Sequence, residues 1–454
     1  MSSPTIDRRT FLTRSALGVG ALAFAPLMGQ RALAQTHPLA PRPTHFTPRA
    51  KRAIMIFMTG GVSHVDTFDP KPKLNADHGK ELRKEYHLSA SLFKSRPRAQ
   101  CGIEVTDLFS HVGERMDDIC LIRSMIADHG DHFEATLGMH TGSTNFAMPG
   151  IGAWISYGLG TYNRDLPSHV VFAKDLPYAG AQVFDSNFLP AYHQGARTVP
   201  GDTPIRHLKP VGGNSHLQEI ELAMLRSLDT RHLRERDNDN ELAARMQSFT
   251  TARGLQQQAP EVFDLSEERD YTLELYGIER GDTRSFGWQC LMARRMAERG
   301  VRFIELIDTG ASGNWDSHGN MRDHERLAAK VDKPIAALLT DLKQRGMLDD
   351  TLVIWCTEFG RTPGIKDPNG KGREHHRMAF SCWLAGGGVK GGYVHGATDE
   401  YGESVIDKPV RIHDFHATIL HLMGVDHERL TYHHAGRDFR LTDVHGNIIT
   451  DILA

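Results

Sequence analysis

The chain has 454 residues, 24% of them charged, and a formal net charge of −3. That mildly acidic balance gives no electrostatic reason to bind nucleic acid or an anionic membrane surface. The five Cys are scattered without a C-x-x-C pair, so neither a thiolate metal site nor a dithiol redox motif is visible, whereas the 26 His are numerous and often lie beside Asp or Glu.

At the N-terminus, Arg8 and Arg9 in DRRTFL precede the mildly apolar SALGVGALAFAPLM, and Ala32-Leu33-Ala34 reads as a cleavage site. This is the pattern of a twin-arginine export signal over residues 1–34, which is set apart from the fold. The run is shorter than the ~20 apolar residues of a membrane span, and no later stretch is long enough. The expectation is a soluble periplasmic or secreted protein that engages the twin-arginine export machinery. Removing the signal leaves roughly 420 residues, more than the ~250–300 of a single core, so a large α/β unit with an insertion is expected over 51–454.

After a Pro-rich linker at 35–50, RAIMIFM (52–58) reads as a buried strand entering a Gly-rich turn. VTDLFSHVGERMDD reads as helix, and ICLIRSM (119–125) and SHVVFA (168–173) as further buried strands. A helical excursion is expected at about 212–280, where Leu217, Ile220, Met224, Leu225 and Leu228 share one helical face and should pack on the core.

The C-terminal half carries more. Helix RSFGWQCLMARRMAERG leads into strand VRFIELI (301–307). A long helical stripe follows (Leu327, Val331, Ile335, Leu338, Leu342), with Pro334 expected to kink or split it, and then strand TLVIWC (351–356). Strand, helix, strand is a βαβ unit, whose strands should be parallel. Loops leaving parallel strands meet at the carboxyl edge, the usual ligand side of such a sheet.

That edge would gather GNWDSHGN, with Asp316 and His318, and TEFGRTP, with Glu358 and Arg361. GKGREHH contributes His375 and His376, and the first strand's loop contributes His64 and Asp66. Carboxylate and imidazole without sulfur suit zinc, manganese, magnesium or calcium, as one ion or two. Each segment alone also reads as an ordinary polar turn; their shared rim favours ligands. DHGDHFEATLGMHTGST adds His129 and His132, on a helix starting near Asp131 and aimed at that rim or merely capped by Asp131. AGGGVKGGYVHG matches G-x-G-x-x-G, but no helix opens there, so it reads as a Gly-rich loop.

In order, RRTFL, FMTGGVSHVDTFDPKP, GNWDSH, TLVIWCTEFGRTP, GREHH, AGGGVKGGYVHGATD and HDFHATILHLMGVD closely resemble an uncharacterised family of twin-arginine-exported bacterial proteins. That family is placed in the alkaline phosphatase/sulfatase-like superfamily. The resemblance implies an α/β fold with a mostly parallel central sheet, flanking helices and metals at the carboxyl edge. Under it, Asp316 and His318 match one metal's Asp/His pair, His375 the later His ligand, and Glu358 the strand-end acid for a second ion, with Asp66 or His64. The last helix would pack on the sheet, giving His416 and His421 structural roles.

The chain also departs from that pattern. Thr59-Gly60-Gly61 stand where an Asp usually ends the first strand, and Phe359 stands where His or Asn is common. Ten residues before the Thr141-Gly142 pair, where a nucleophile normally opens a helix, stands His132. No C-x-[PA]-x-R motif occurs, so a formylglycine sulfatase is not expected. The resemblance implies a metal-dependent hydrolase of phosphate or sulfate esters on small molecules or glycans. His132 would act as general acid, base or nucleophile, and Arg361 would steady the anion. The alternative is a non-catalytic carbohydrate- or cell-surface-binding protein on the same scaffold.

Overall fold

The computed structural model describes residues 38–205, 215–236, 240–367 and 369–454, so the segment expected to be an export signal lies outside the described residues. Nine strands form the central sheet: β1 (Arg52–Phe57), β2 (Ile119–Ile126), β3 (His169–Ala173), β4 (Ala196–Thr198), β5 (Phe303–Ile307), β6 (Thr351–Cys356), β7 (Phe380–Ala385), β8 (Tyr393–His395) and β9 (Val410–Arg411). Their order is β8-β2-β7-β6-β1-β5-β3-β4, with β9 also on β2. All pairings are parallel except those of β7, which runs against β6 and β2. The βαβ expectation holds in direction: β5 and β6 are parallel, with β1 between them.

The eight helices used below are α1 (His132–Thr141), α2 (Ile151–Leu159), α3 (Ser215–Arg234), α4 (Asn240–Phe263), α5 (Asp270–Tyr276), α6 (Phe286–Glu298), α7 (Asp323–Gln344) and α8 (Ile412–Leu422). Side chains alternate across a strand, so β1 sends Ile54 and Ile56 to one face and Ala53, Met55 and Phe57 to the other. The first face packs on α6 and α7, the second on α1, α2 and α8. Covered on both sides, the central strands read as continuous apolar runs such as TLVIWC. On α8, His416 is buried and its Nε2 meets the Met139 carbonyl at 2.8 Å.

Three expectations need correction. VTDLFSHVGERMDD is not one helix: Ile103–Thr106 is a strand, followed by short turns at Asp107–Phe109 and Ser110–Gly113. Pro334 does not split α7; the helix runs through it. A proline inside a helix costs about 3 kcal/mol, but here Pro334, Ile335, Leu338 and Leu342 are all buried, and that packing holds the helix together. The stripe on α3 is not core: α3 pairs with α4, and Ile220 and Met224 remain 54% and 66% exposed.

Candidate metal centre

At the carboxyl rim, two glycines let loops approach closer than side chains would allow. Gly60 follows β1 with φ +113°, and a Cβ there would lie 2.7 Å from the Asp316 amide nitrogen. A Cβ on Gly372 would lie 1.7 Å from the His318 carbonyl oxygen. Gly60 thus seats the Asp316 loop against β1, and Gly372 seats the GREHH segment against it from the far side. A two-residue antiparallel ladder pairs Arg361 with His375 and Gly360 with His376.

Around Asp316 three imidazoles converge. Its Oδ1 lies 2.9 Å from His318 Nε2 and 3.4 Å from His375 Nε2, and its Oδ2 lies 3.3 Å from His132 Nε2. The two nitrogens of His318 and His375 stand 3.1 Å apart. Each ring is held from behind through Nδ1: His375 by the Gly130 carbonyl at 2.8 Å, His318 by Glu374 at 2.9 Å, and His132 by Glu358 at 2.7 Å. A carbonyl or carboxylate oxygen only accepts, so Nδ1 carries a proton in all three, and each ring, when neutral, turns a bare Nε2 toward Asp316.

With both rings neutral two lone pairs face one another at 3.1 Å, and with both protonated two N–H groups do; a single proton between them, or a cation, satisfies the pair. Ligands at zinc-like bond lengths of ~2.0–2.1 Å stand about 3.3 Å apart in a tetrahedron, and the distances from Asp316 to the three rings, 2.9, 3.3 and 3.4 Å, are of that order. His132, Asp316 and His375 offer ligand atoms that all lie within 4.8 Å of one another. His132 Nε2 is buried and lacks a hydrogen-bond partner. Donors held from behind by carboxylate or carbonyl are the usual second layer of a metal site.

The electrostatics agree. Burial opposes a charged Asp316, yet hydrogen bonds from His132 and His375 and the Arg361 guanidinium hold its carboxyl far below the usual range. Burial likewise opposes a charged His132, but its bonds to Asp316 and Glu358 outweigh that and raise its pKa. Tyr178 stacks on His132 at 4.1 Å, and the Phe359 ring lies 4.7 Å from both His132 and His375. The cluster is therefore roofed by aromatic rings and opens at His318, whose side chain is 42% exposed.

The other expected residues sit differently. Glu358 is fully buried, with Oε1 taking the Gly60 N–H (2.8 Å) and His132, and Oε2 taking the Thr357 hydroxyl. Its carboxylate orients His132 instead of facing an open site. Arg361 is also fully buried, and its N–H groups go to Asp316 (2.5 Å) and to the carbonyls of Gly60, Gly61 and Arg373. A further N–H of Arg361 lies 3.5 Å from His318 Nε2, so in this structure its guanidinium is engaged by protein groups. Asp66 is sealed against Arg373 (2.6 Å) and the Ser63 hydroxyl (2.6 Å). His64 bonds the Gly402 carbonyl at 2.8 Å, and burial pushes its pKa down to about 4. Neither Asp66 nor His64 contacts the cluster among the described residues.

Sequence reasoning missed Glu374, Gly130 and Tyr178. Glu374 had a signal, an acid directly before the His pair in GREHH. A backbone carbonyl at Gly130 and a stacking Tyr178 have none.

The fold and the cluster define an α/β protein with a His/Asp cluster at the carboxyl rim of a mostly parallel sheet. The chain belongs to the family described as "Protein of unknown function (DUF1501)", whose pattern matches residues 50–453. No curated protein matches it. Among solved structures it is similar to the lipoteichoic acid synthase LtaP from Listeria monocytogenes, at 7% identity and TM-score 0.38, covering 90% of this chain and 80% of that one. The PsFucS1 sulfatase from Pseudoalteromonas sp. gives 11% identity and TM-score 0.35, over 88% and 70% of the two chains. A protein in the alkaline phosphatase superfamily from Vibrio parahaemolyticus gives 10% and 0.34, over 85% and 69%.

Proposed function

We propose that the chain is an exported metal-dependent hydrolase of phosphate or sulfate esters, built on an alkaline phosphatase-like scaffold and working with one divalent cation. His132, Asp316 and His375 hold the ion from inside, and His318 holds its exposed edge. When bound, the cation supplies Lewis-acid chemistry to an ester oxygen. The protein's own groups do the rest. Glu358, Glu374 and Gly130 fix the tautomers of the three imidazoles, Arg361 fixes Asp316, and Tyr178 and Phe359 keep water off the inner side. The observation that carries this reading is the convergence of three Nε2 atoms on one carboxylate, each ring proton held from behind.

The test is metal analysis of the purified protein beside a screen of aryl phosphates, phosphodiesters and aryl sulfates. One divalent ion per chain is expected, with turnover that a chelator abolishes and His375→Ala lowers at least ~100-fold. A folded chain that takes up no stoichiometric ion, even after reconstitution, defeats the proposal. The second reading, a metal centre without turnover, draws on the four protein side chains that close around the ion, as structural sites do. Stoichiometric metal with no hydrolysis of any ester tested, together with glycan binding, decides for it.

A further inference from the structure

The charge around the cluster can be counted from its hydrogen bonds. Asp316 and Glu358 are carboxylates: Oδ1 of the first takes an N–H of Arg361 at 2.5 Å, and Oε1 of the second takes the Gly60 amide at 2.8 Å and the His132 Nδ1–H at 2.7 Å. Among the described residues Arg361 is the one Arg or Lys side chain with a hydrogen bond or ion pair to Asp316 or the three imidazoles. A guanidinium has five N–H donors, and those of Arg361 meet Asp316, His318 and the carbonyls of Gly60, Gly61 and Arg373. Two carboxylates against one guanidinium leave one negative charge, so a divalent ion held by neutral imidazoles leaves one positive charge. Glu374, 55% exposed at the open edge, offsets part of that.

That balance bears on the guest. A sulfate ester or a phosphodiester carries one negative charge, whereas a phosphomonoester carries about −1.5 to −2 at pH 7. Glu358 and Arg361 are fully buried, and the rings of Tyr178 and Phe359 cover His132. With water held off in this way, an unbalanced charge costs more than it would in the open. One negative charge closes the count, and a second overshoots it.

A singly charged guest still needs a donor for its free oxygens, and Tyr178 is placed to be one. Its ring lies flat on His132, 4.1 Å away with 8° between the planes. Asn314, in the loop leading to Asp316, fixes which way the hydroxyl donates. Its Oδ1 takes the Asp316 amide N–H at 3.1 Å and one Nδ2–H goes to the Gly310 carbonyl at 2.9 Å, so the two ends of the carboxamide cannot be exchanged. The other Nδ2–H donates to the Tyr178 oxygen at 3.1 Å. The phenol therefore accepts from Asn314 and keeps its own proton, as a phenol does up to a pH of about 10. Among the described residues no protein group takes that proton. The hydroxyl thus sits beside the loop that carries Asp316, on a half-buried side chain.

We propose that the site selects singly charged esters, sulfate esters or phosphodiesters, over doubly charged phosphomonoesters, and that the Tyr178 O–H donates to a free oxygen of the bound group. This selectivity rests on the metal reading above, because without the cation the count stays negative and repels any anion.

The experiment uses full-length protein loaded with one equivalent of zinc, the stoichiometry being measured by metal analysis before any anion is added. Three probes that cannot be hydrolysed are titrated calorimetrically at matched ionic strength. Phenylphosphonate is used at a pH where it carries two charges; its monomethyl ester and benzenesulfonate carry one. The better singly charged probe binds wild type at least about tenfold more tightly than phenylphosphonate does. Whether that probe is the sulfonate or the phosphonate ester tells a sulfate ester from a phosphodiester. Tyr178→Phe keeps the ring on His132 and the zinc content, and weakens that probe about tenfold, the loss expected of a hydrogen bond to a charged group. Equal or tighter binding of phenylphosphonate, no binding of any probe to the zinc-loaded protein, or a Tyr178→Phe variant that binds unchanged or loses its zinc overturns the proposal. A chain that takes up no zinc defeats the metal reading and this selectivity with it, whereas the other outcomes leave that reading standing.

Discussion

Two Asp–Arg pairs lie near the same sheet edge and do opposite things. Asp66 and Arg373 are 0% and 1% exposed, and every side-chain oxygen and nitrogen of the pair has a protein partner: the Ser63 hydroxyl, the Thr362 and Ser89 carbonyls, or each other. Asp316 is 24% exposed, and its pairing with Arg361 leaves its oxygens facing three imidazole nitrogens. A saturated buried pair specifies architecture, because any ligand would have to displace a good hydrogen bond. A half-open carboxylate ringed by imidazole nitrogens keeps contacts that a ligand can take over without displacing a saturated pair, which is what the proposed cation would do. The same two residue types therefore separate into frame and chemistry by what remains unsatisfied around them.

The comparison breaks most visibly at the frame. Removing one partner of a buried ion pair costs about 3–5 kcal/mol, because the other charge is left stranded. Asp66→Ala should lose that much stability in urea unfolding. A loss below about 1 kcal/mol would mean that Arg373 finds water or another acceptor, and that the pair is not sealed in solution.

A second sealed acid tests the same idea through pH. Glu305, in the middle of β5, bonds His140 of α1 at 2.9 Å; burial works against its charge, but His140 and then His169 pull its pKa down to about 2. A folded pKa below the unfolded one stabilises the fold above pH 4.5 and is lost as pH falls from 4.5 through 2. The shift corresponds to roughly 3 kcal/mol. Stability of wild type against Glu305→Gln, followed from pH 6 to pH 2, should converge across that window. Parallel curves would show that the pair contributes nothing.

The chemistry side responds to gentler changes. Glu374 touches no metal in this scheme; it only holds His318 through Nδ1. Glu374→Gln keeps size and removes charge, and loss of such a supporting partner lowers metal affinity by about 10–100-fold. Unfolding should be unaffected, because the Glu374 side chain is 55% exposed. Competition with a chromogenic chelator measures the first, and a urea titration of metal-free protein measures the second. An affinity identical to wild type would remove Glu374 from the site.

The rim was legible in the sequence because parallel strands carry their loops to one edge, and the buried runs ending near Ile307 and Cys356 announced two such strands. That reasoning brought Asp316, His318 and Glu358 to one rim without any contact being known; the family resemblance added His375, and the expectation that His64 and Asp66 join them does not hold. It could not separate the half-open Asp316 from the sealed Asp66, since both Asp–Arg pairs look alike as letters. Saturation is a property of the partners, and the partners of Asp66 come from positions as distant as Ser63 and Arg373. The setting of His132 was hidden for the same reason. Its place at the start of α1 was predicted, but only the structure shows Nδ1 committed to Glu358 and Nε2 turned to Asp316.

Helices α3 and α7 repeat the lesson with apolar residues. Both show the i, i+3, i+4 stripe that predicts packing against a core. On α7 that stripe is buried, with Ile335, Leu338 and Leu342 at 0% exposure; on α3 Ile220 is 54% and Met224 66% exposed. Periodicity says that a face exists, not that something covers it. Leu338→Ala should therefore cost about 2–5 kcal/mol, whereas Ile220→Ser should stay within about 0.5 kcal/mol. Urea midpoints of the two variants against wild type make the comparison, at two protein concentrations. If Ile220→Ser costs more than about 2 kcal/mol, a value typical of buried sites, the α3 face is covered in solution, and concentration dependence of that loss would identify the cover as a second copy of the chain.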